Sequence, residues 1–222
     1  MTGDACQIVF FTIKTSLLST LLILPFGIAI AWLLARRAWP GKALVETAVM
    51  LPLFIPPVAT GLLLLMLFGR NGPLGSALQS VGVDIVFTWR AVVIACAVMS
   101  FPLLVRAAQS AFQEVNPRFE EIARTLGSSE WRVFRTISFP LARRGIAGGA
   151  VLAFARAMGE FGATALVAGM IPHKTMTISL AIYQNVQLGR DAAAVPLLIV
   201  SVAIVFITVF CGQRIARTGP GR

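Results

Sequence analysis

The chain is expected to be an all-α polytopic membrane protein of about five transmembrane helices, and three observations carry that expectation. Hydrophobic residues make up 57% of its 222 residues, charged residues only 13%, and the mean hydropathy is +0.84, more apolar surface than a soluble domain can bury. Five apolar runs approach or exceed the length that a helix needs to cross hydrocarbon. The basic residues behind a formal charge of +10 gather in short segments between alternate runs, as the positive-inside rule expects of cytoplasmic connections. A nucleic-acid surface would need a soluble basic face that this composition has little material to build, so the charge points to membrane lipids and topology, not to nucleic acid.

The first run, Val9 to Ala35, is longer than an upright span requires, which implies tilt or an interfacial start near Lys14, with Pro25 and Gly27 as places to bend. The second, Leu51 to Phe68, carries Pro52, Pro56 and Pro57 at its start, so the helix is expected to be irregular at that end. Phe87 to Val105 forms the third, with Trp89 as an interfacial anchor and Arg106 marking its exit. Ile146 to Met170 forms the fourth despite Arg156 and Glu160, and Ala192 to Cys211 the fifth. Residues 171–190 are too polar and short for a crossing and read as an external loop with a short amphipathic or re-entrant helix around Thr177 to Tyr183.

Arg36, Arg37 and Lys42 follow the first run. Arg118, Arg124, Arg132, Arg135, Arg143 and Arg144 lie between the third and fourth, and Arg214, Arg217 and Arg222 follow the fifth. Placing these inside puts the N-terminus outside and the C-terminus inside. No removable signal peptide is evident at the N-terminus. Cys6, Cys96 and Cys211 are widely separated and have neither metal spacing nor a redox pairing pattern. The transmembrane domain is expected over 8–214, with a charged cytoplasmic loop at 116–140 within it and a short cytoplasmic tail at 215–222.

The segment NPRFEEIARTLGSSEWRVFRTISFP, from Asn116 to Pro140, is the one charged, helix-forming stretch between long apolar runs. Asn116 and Pro117 form an N-cap and first-turn signal, with Glu120 and Glu121 near the favourable end of the helix dipole. Gly127 is placed to end that helix, Ser128 or Ser129 to start a second, and Pro140 to stop it. Phe119, Ile122, Ala123 and Leu126 share one face at helical spacing while Glu120, Glu121 and Arg124 decorate the others; Trp131, Phe134 and Ile137 form a strip on the second helix, leaving Arg132 and Arg135 to solvent or lipid headgroups. Such elements serve as plain connectors, as a docking surface for a cytoplasmic partner, or as a lipid attachment.

The order Glu121, Ile122, Ala123, three residues, Gly127, nine residues, Ile137, Ser138, Phe139, Pro140 resembles the EAA loop of importer permeases in the ATP-binding cassette superfamily. Ile122 stands where that pattern has alanine and Phe139 where it has leucine. The stretches ARRAWPGKALVETAVMLPLFIPPVATG, VMSFPLLVRA, ARTLGSSEWRVF and LAFARAMGEFGATALVAGMIPHKTMTISLAIY resemble molybdate importer permeases, and the related sulfate permeases less closely. The resemblance implies a type I importer permease fold of the MetI-like kind, in the bacterial cytoplasmic (inner) membrane. It further implies a homodimer lining the pathway, two separate ATPase subunits that hold ATP and Mg, and a periplasmic or extracellular molybdate-binding protein, with tungstate and sulfate as alternative substrates. By the same carry-over Glu120, Glu121, Ile122, Ala123, Gly127, Ser128 and Trp131 couple to the ATPase. No cofactor is expected in this chain, which shows no Walker phosphate loop. It is expected to be a transport subunit and not an enzyme; an ATP-independent channel and a membrane-bound enzyme are the competing classes.

Arg156 and Glu160 stand four residues apart in AFARAMGEFGAT and so face one side of a helix. A bundle-stabilising pair, a gate in the pathway, and snorkelling at an interface are the three roles open to them. Gly148, Gly149, Gly159 and Gly162 make close helix contact possible on the same run.

Overall fold

The computed structural model describes residues 2–217, and every regular element among them is helical. α1 (Thr2–Arg36) continues through Pro25 as one helix. Four of its five buried hydroxyl side chains bond within the helix: Thr12, Thr15, Ser19 and Thr20 donate to carbonyls three or four residues earlier, which lets these polar groups enter an apolar interior.

α2 (Lys42–Phe54) and α3 (Pro57–Phe68) are bent by 110° where Ile55 and Pro56 turn extended. The run expected from Leu51 to Phe68 is therefore two helices. Pro56 and Pro57 lack backbone donors and push the preceding residue out of helical geometry, while Pro57 is well suited to the first turn of a new helix. α4 (Pro73–Gln79) precedes α5 (Trp89–Gln113), which begins at a Thr88 cap whose Oγ1 accepts from Arg90 N at 3.2 Å. α5 does not end at Arg106 as expected. Arg106 sits on its exposed side, and no helix breaker intervenes before Asn116 and Pro117.

α6 (Pro117–Thr125) leads into α7 (Glu130–Val133), a π-turn (Phe134–Ser138) and α8 (Phe139–Met158). The helix from Glu130 does not stop before Pro140 as expected but runs on into α8. In the π-turn Phe139 N–H donates to the Phe134 carbonyl, five residues back, and this wider spacing accommodates the proline ring without a missing donor breaking the column. The fourth expected run is also interrupted: α8 ends at Met158, Gly159 to Phe161 break the helix, and α9 (Gly162–Val167) begins anew. α10 (Ile178–Gln187) starts at a Thr177 cap inside the stretch expected to hold a short helix, and Ile178 N–H donates to Thr12 Oγ1 of α1 at 2.9 Å. α11 (Asp191–Arg217) closes the fold; the tail expected at 215–222 continues this helix to Arg217 and otherwise lies outside the described residues.

Among the described residues three helical stretches are long and apolar enough to cross a membrane, Asp4–Arg36, Trp89–Gln113 and Asp191–Arg214, and the bent α2–α3 pair makes a fourth if it counts as one crossing. In its most apolar stretch 67% of α5 is buried against 11% of α11, so α5 is the column on which α1 and α8 pack and α11 lies at the edge. Small residues permit the α5–α8 approach. Gly145 faces Ala111, and a Cβ on Gly149 would stand 2.8 Å from that of Ala107. Gly162 likewise abuts Pro57, and a Cβ on Gly61 would stand 2.8 Å from the Ala163 carbonyl oxygen, so α9 lies close on α3. Gly159 makes no such contact; a Cβ added there would meet only the Arg156 carbonyl oxygen, at 3.9 Å.

Gly149→Val should therefore lower stability by about 1–3 kcal/mol through overpacking, read as a lower thermal midpoint in detergent. Gly159→Ala, with open space around it, should change stability by less than about 0.5 kcal/mol; equal losses would remove this account of the α5–α8 contact.

Candidate functional site

The elbow from Asn116 to Pro140 is built by local chemistry at both corners. Asn116 Oδ1 accepts from Arg118 N at 3.0 Å and Pro117 opens α6. At its far end Gly127 takes φ +79, its N–H donates to the Arg124 carbonyl at 2.9 Å, and Ser128 N–H reaches the Ala123 carbonyl at 3.0 Å. This pair of bonds is a Schellman motif, in which glycine adopts the left-handed conformation without a Cβ penalty. Ser128 thus completes the end of α6, and Ser129 begins α7 by accepting from Arg132 N at 3.4 Å.

The apolar residues of the elbow separate into an outer and an inner set. Phe119, Ile122, Leu126 and Trp131 are exposed, Leu126 at 80% and Trp131 at 68%. Glu121 is exposed beside them and Ala123 is half-buried. Phe119 and Ile122 form one wall of a cavity of about 390 Å³ whose other wall is Thr136, Ile137, Pro140 and Leu141. Ile122 adds to that wall while remaining exposed. Phe134 turns inward, with ring centroids 5.2 Å from Trp32, 5.4 Å from Trp131 and 6.2 Å from Phe112. The strip expected from Trp131, Phe134 and Ile137 therefore joins the outer face to the bundle.

Glu120 does not lie on a solvated side of α6 as helical periodicity predicts: its side chain is 3% exposed, drawn inward by Arg36 and Ser138. Its Oε1 lies 2.9 Å from Arg36 Nε, a close charge contact and not an aligned hydrogen bond, and accepts from Ser138 Oγ at 2.8 Å. Arg36 Nη2 donates to the Val115 carbonyl at 2.8 Å. One carboxylate thus joins the end of α1, the start of α6 and the π-turn. Removing one partner of such a buried pair typically costs about 3–5 kcal/mol, because the other charge is left stranded. Arg36 was read only as a topology signal, and Ser138 only as part of the motif ending; no local pattern links either to Glu120.

Arg124 continues the chain of charges outward. It lies 3.6 Å from Glu120 and clasps Glu130 at 2.7 and 3.3 Å across the Gly127 corner. The Arg124 hydrogen bond holds the Glu130 carboxyl below its ordinary range, and the same bond raises Arg124. A depressed carboxylate stabilises fully above its ordinary pKa and loses that contribution as pH falls through the lowered one. Both groups are well exposed, so screening keeps the clasp below about 1 kcal/mol.

The second site lies at the other end of α8, about 30 Å away by helical rise. Arg156 Nη1 donates to Glu160 Oε2 at 2.7 Å, and Glu160 Oε1 accepts from Ala163 N at 2.9 Å. Glu160 is almost wholly buried while Arg156 is 26% exposed. The carboxylate pairs with the last turn of α8 and caps the first turn of α9, so it splices the break. The carbonyls released there are also used: Ala157 O accepts from Glu160 N at 3.2 Å and Cys96 Sγ at 3.5 Å, and Met158 O from Ser179 Oγ at 3.5 Å. Among the described residues no three His, Cys, Asp or Glu side chains group as metal ligands would.

This helical order is the fold of an ABC importer's membrane component. A chain of the MetNI methionine ABC transporter, solved in inward-facing conformations, matches with a TM-score of 0.77 over 98% of this chain and 96% of that one, at 20% identity. Residues 23–217 match the family described as the binding-protein-dependent transport system inner membrane component. The Molybdenum transport system permease protein ModB of Escherichia coli K12 is 46% identical over 219 residues, covering 98% of this chain and 96% of that protein. The Sulfate transport system permease protein CysW of Synechocystis is 37% identical over 207 residues, covering 91% and 75%. The chain belongs to this family of inner-membrane transport components.

Glu160→Gln keeps an acceptor for Ala163 but leaves Arg156 without a carboxylate, and Glu160→Ala loses both contacts. The thermal midpoint should fall in the order wild type, Glu160→Gln, Glu160→Ala, with the alanine change costing about 3–5 kcal/mol. Identical midpoints for the two variants would show that capping of α9 contributes nothing.

Proposed function

We propose that this chain is the permease subunit of an ATP-driven molybdate importer in the bacterial inner membrane. The observation that carries the reading is 46% identity to a molybdenum permease, extending over 98% of this chain and 96% of that protein. The sulfate permease is less similar and longer, this chain spanning 75% of it, which favours molybdate over sulfate; tungstate shares molybdate's tetrahedral dianionic form.

In this reading α1, the bent α2–α3 pair, α5, α8 and α11 make five crossings with the N-terminus outside and the C-terminus inside. The exposed elbow then faces the cytoplasm. Two copies line the pathway, since five helices enclose little space alone. Two separate ATPase subunits, which hold ATP and Mg, seat the elbows, and an external binding protein delivers the oxyanion. The chain itself performs no hydrolysis. The proposed docking face consists of Glu121, Ile122, Ala123, Gly127, Ser128 and Trp131, with Phe119 and Leu126 beside them. Exposed apolar side chains rimmed by charge suit insertion into a partner's groove. ATP-driven closure of the ATPase pair would move the elbows and open the pathway outward; hydrolysis and release would reverse it.

Reconstitution with the cognate ATPase and binding protein should give ATP-dependent uptake of labelled molybdate, reduced by excess tungstate and less by sulfate. Sulfate uptake indifferent to molybdate would overturn the substrate. Leu126→Glu or Gly127→Val should weaken ATPase binding by at least about tenfold, the loss of about 1.4 kcal/mol, with membrane insertion intact. Unchanged binding would place the ATPase elsewhere. Tags on the two termini should be accessible from opposite sides of the membrane, and same-side access would exclude five crossings.

A further inference from the structure

We propose that Arg36 and Glu120 form the joint through which movement of the elbow reaches α1, and that Glu120 acts by positioning and not by touching the ATPase. The proposal rests on the elbow being the ATPase-coupling element. Glu121 and Ile122, the neighbours of Glu120, are exposed, whereas its own carboxylate is buried and aimed into the bundle, 2.9 Å from Arg36 Nε and 2.8 Å from Ser138 Oγ. Arg36 ends α1 and also holds the Val115 carbonyl, at the turn between α5 and α6, at 2.8 Å. A push on α6 therefore meets α1, the α5–α6 turn and the base of α8 through one carboxylate. A buried charge pair transmits displacement well because neither partner can find water when the other moves. The exposed clasp of Arg124 with Glu130 offers no such penalty, since solvent replaces it readily.

The test uses the reconstituted permease, ATPase and binding protein. Arg36→Gln, Glu120→Gln and the double variant are compared with wild type for ATPase-subunit affinity, ATP hydrolysis and ions imported per ATP, on both molybdate and sulfate. The neutral double variant strands no charge, which keeps a folded protein in the series even where a single change destabilises it. Affinity should stay within about twofold of wild type, while ions imported per ATP fall about tenfold, inside the range typical of energetic coupling between sites. The double variant should lose no more than the worse single one, because both single changes break the same Arg36–Glu120 contact. Weakened ATPase binding by Glu120→Gln alone would make Glu120 a docking residue and overturn the joint. Hydrolysis and uptake falling in proportion, or an unchanged ratio, would overturn it as well. A wild-type complex that carries sulfate in place of molybdate would displace the substrate reading only, since the joint is judged on whichever ion is carried.

Discussion

A helix interrupted inside an apolar bundle frees backbone donors and acceptors that no water can satisfy, and the form of each break in this chain follows from that constraint. Between α2 and α3 the break falls on two prolines, which have no donors to strand, and the next bonds close over it from Ile55 N to Leu51 O and Thr60 N to Pro56 O. At the base of α8 the column is widened, not broken, so Pro140 follows directly on a π-turn and sits in the first turn of α8. Between α8 and α9 no proline is available. There the released groups are met by side chains: Glu160 takes the Ala163 donor, and Cys96 and Ser179 reach the carbonyls of Ala157 and Met158. A charge deep in the bundle is thus explained by backbone accounting before any appeal to transport.

The elbow obeys a related gradient. Arg36, Glu120, Arg124 and Glu130 alternate in sign from the interior outward, with side-chain exposures of 11%, 3%, 39% and 48%. The inner contact is costly to open and insensitive to salt, while the outer clasp is weak and screened. The Phe134 ring, set between Trp32 and Trp131, adds an apolar tie in the same direction. The result is an element rooted firmly in the bundle with an adaptable outer surface, which suits the docking and coupling proposed for it.

Legibility in the sequence tracked the range of the interactions. The Asn116 cap and the Gly127 corner rest on residues a few positions apart, so composition and spacing were enough to place them. The prolines at 56 and 57 announced irregularity, but the 110° bend depends on how α3 is held by α9, where Gly61 and Gly162 allow close approach. The α8–α9 break was hidden because Arg156 and Glu160 have the spacing of an ordinary helical ion pair; only the structure shows that the same carboxylate also caps a new helix. Burial of Glu120 was missed for a different reason. Helical periodicity assigned its face from neighbours in α6, whereas its partner Arg36 is far away in sequence, anchored to a carbonyl 79 residues along the chain.

The saturation of Glu160 also bears on how a dianion could pass the centre of such a bundle. A lone buried arginine would attract an oxyanion strongly and release it slowly, which opposes throughput; a pathway needs contacts favourable enough to enter and weak enough to leave. Arg156 is already paired at 2.7 Å with a carboxylate whose other oxygen is held by Ala163 N–H. In this arrangement its charge is offset, and the pair presents little net attraction to an anion. Opening of the α8–α9 junction would separate Arg156 from Glu160 and uncover its charge, so the splice that satisfies the backbone also sets how strongly an anion is attracted there.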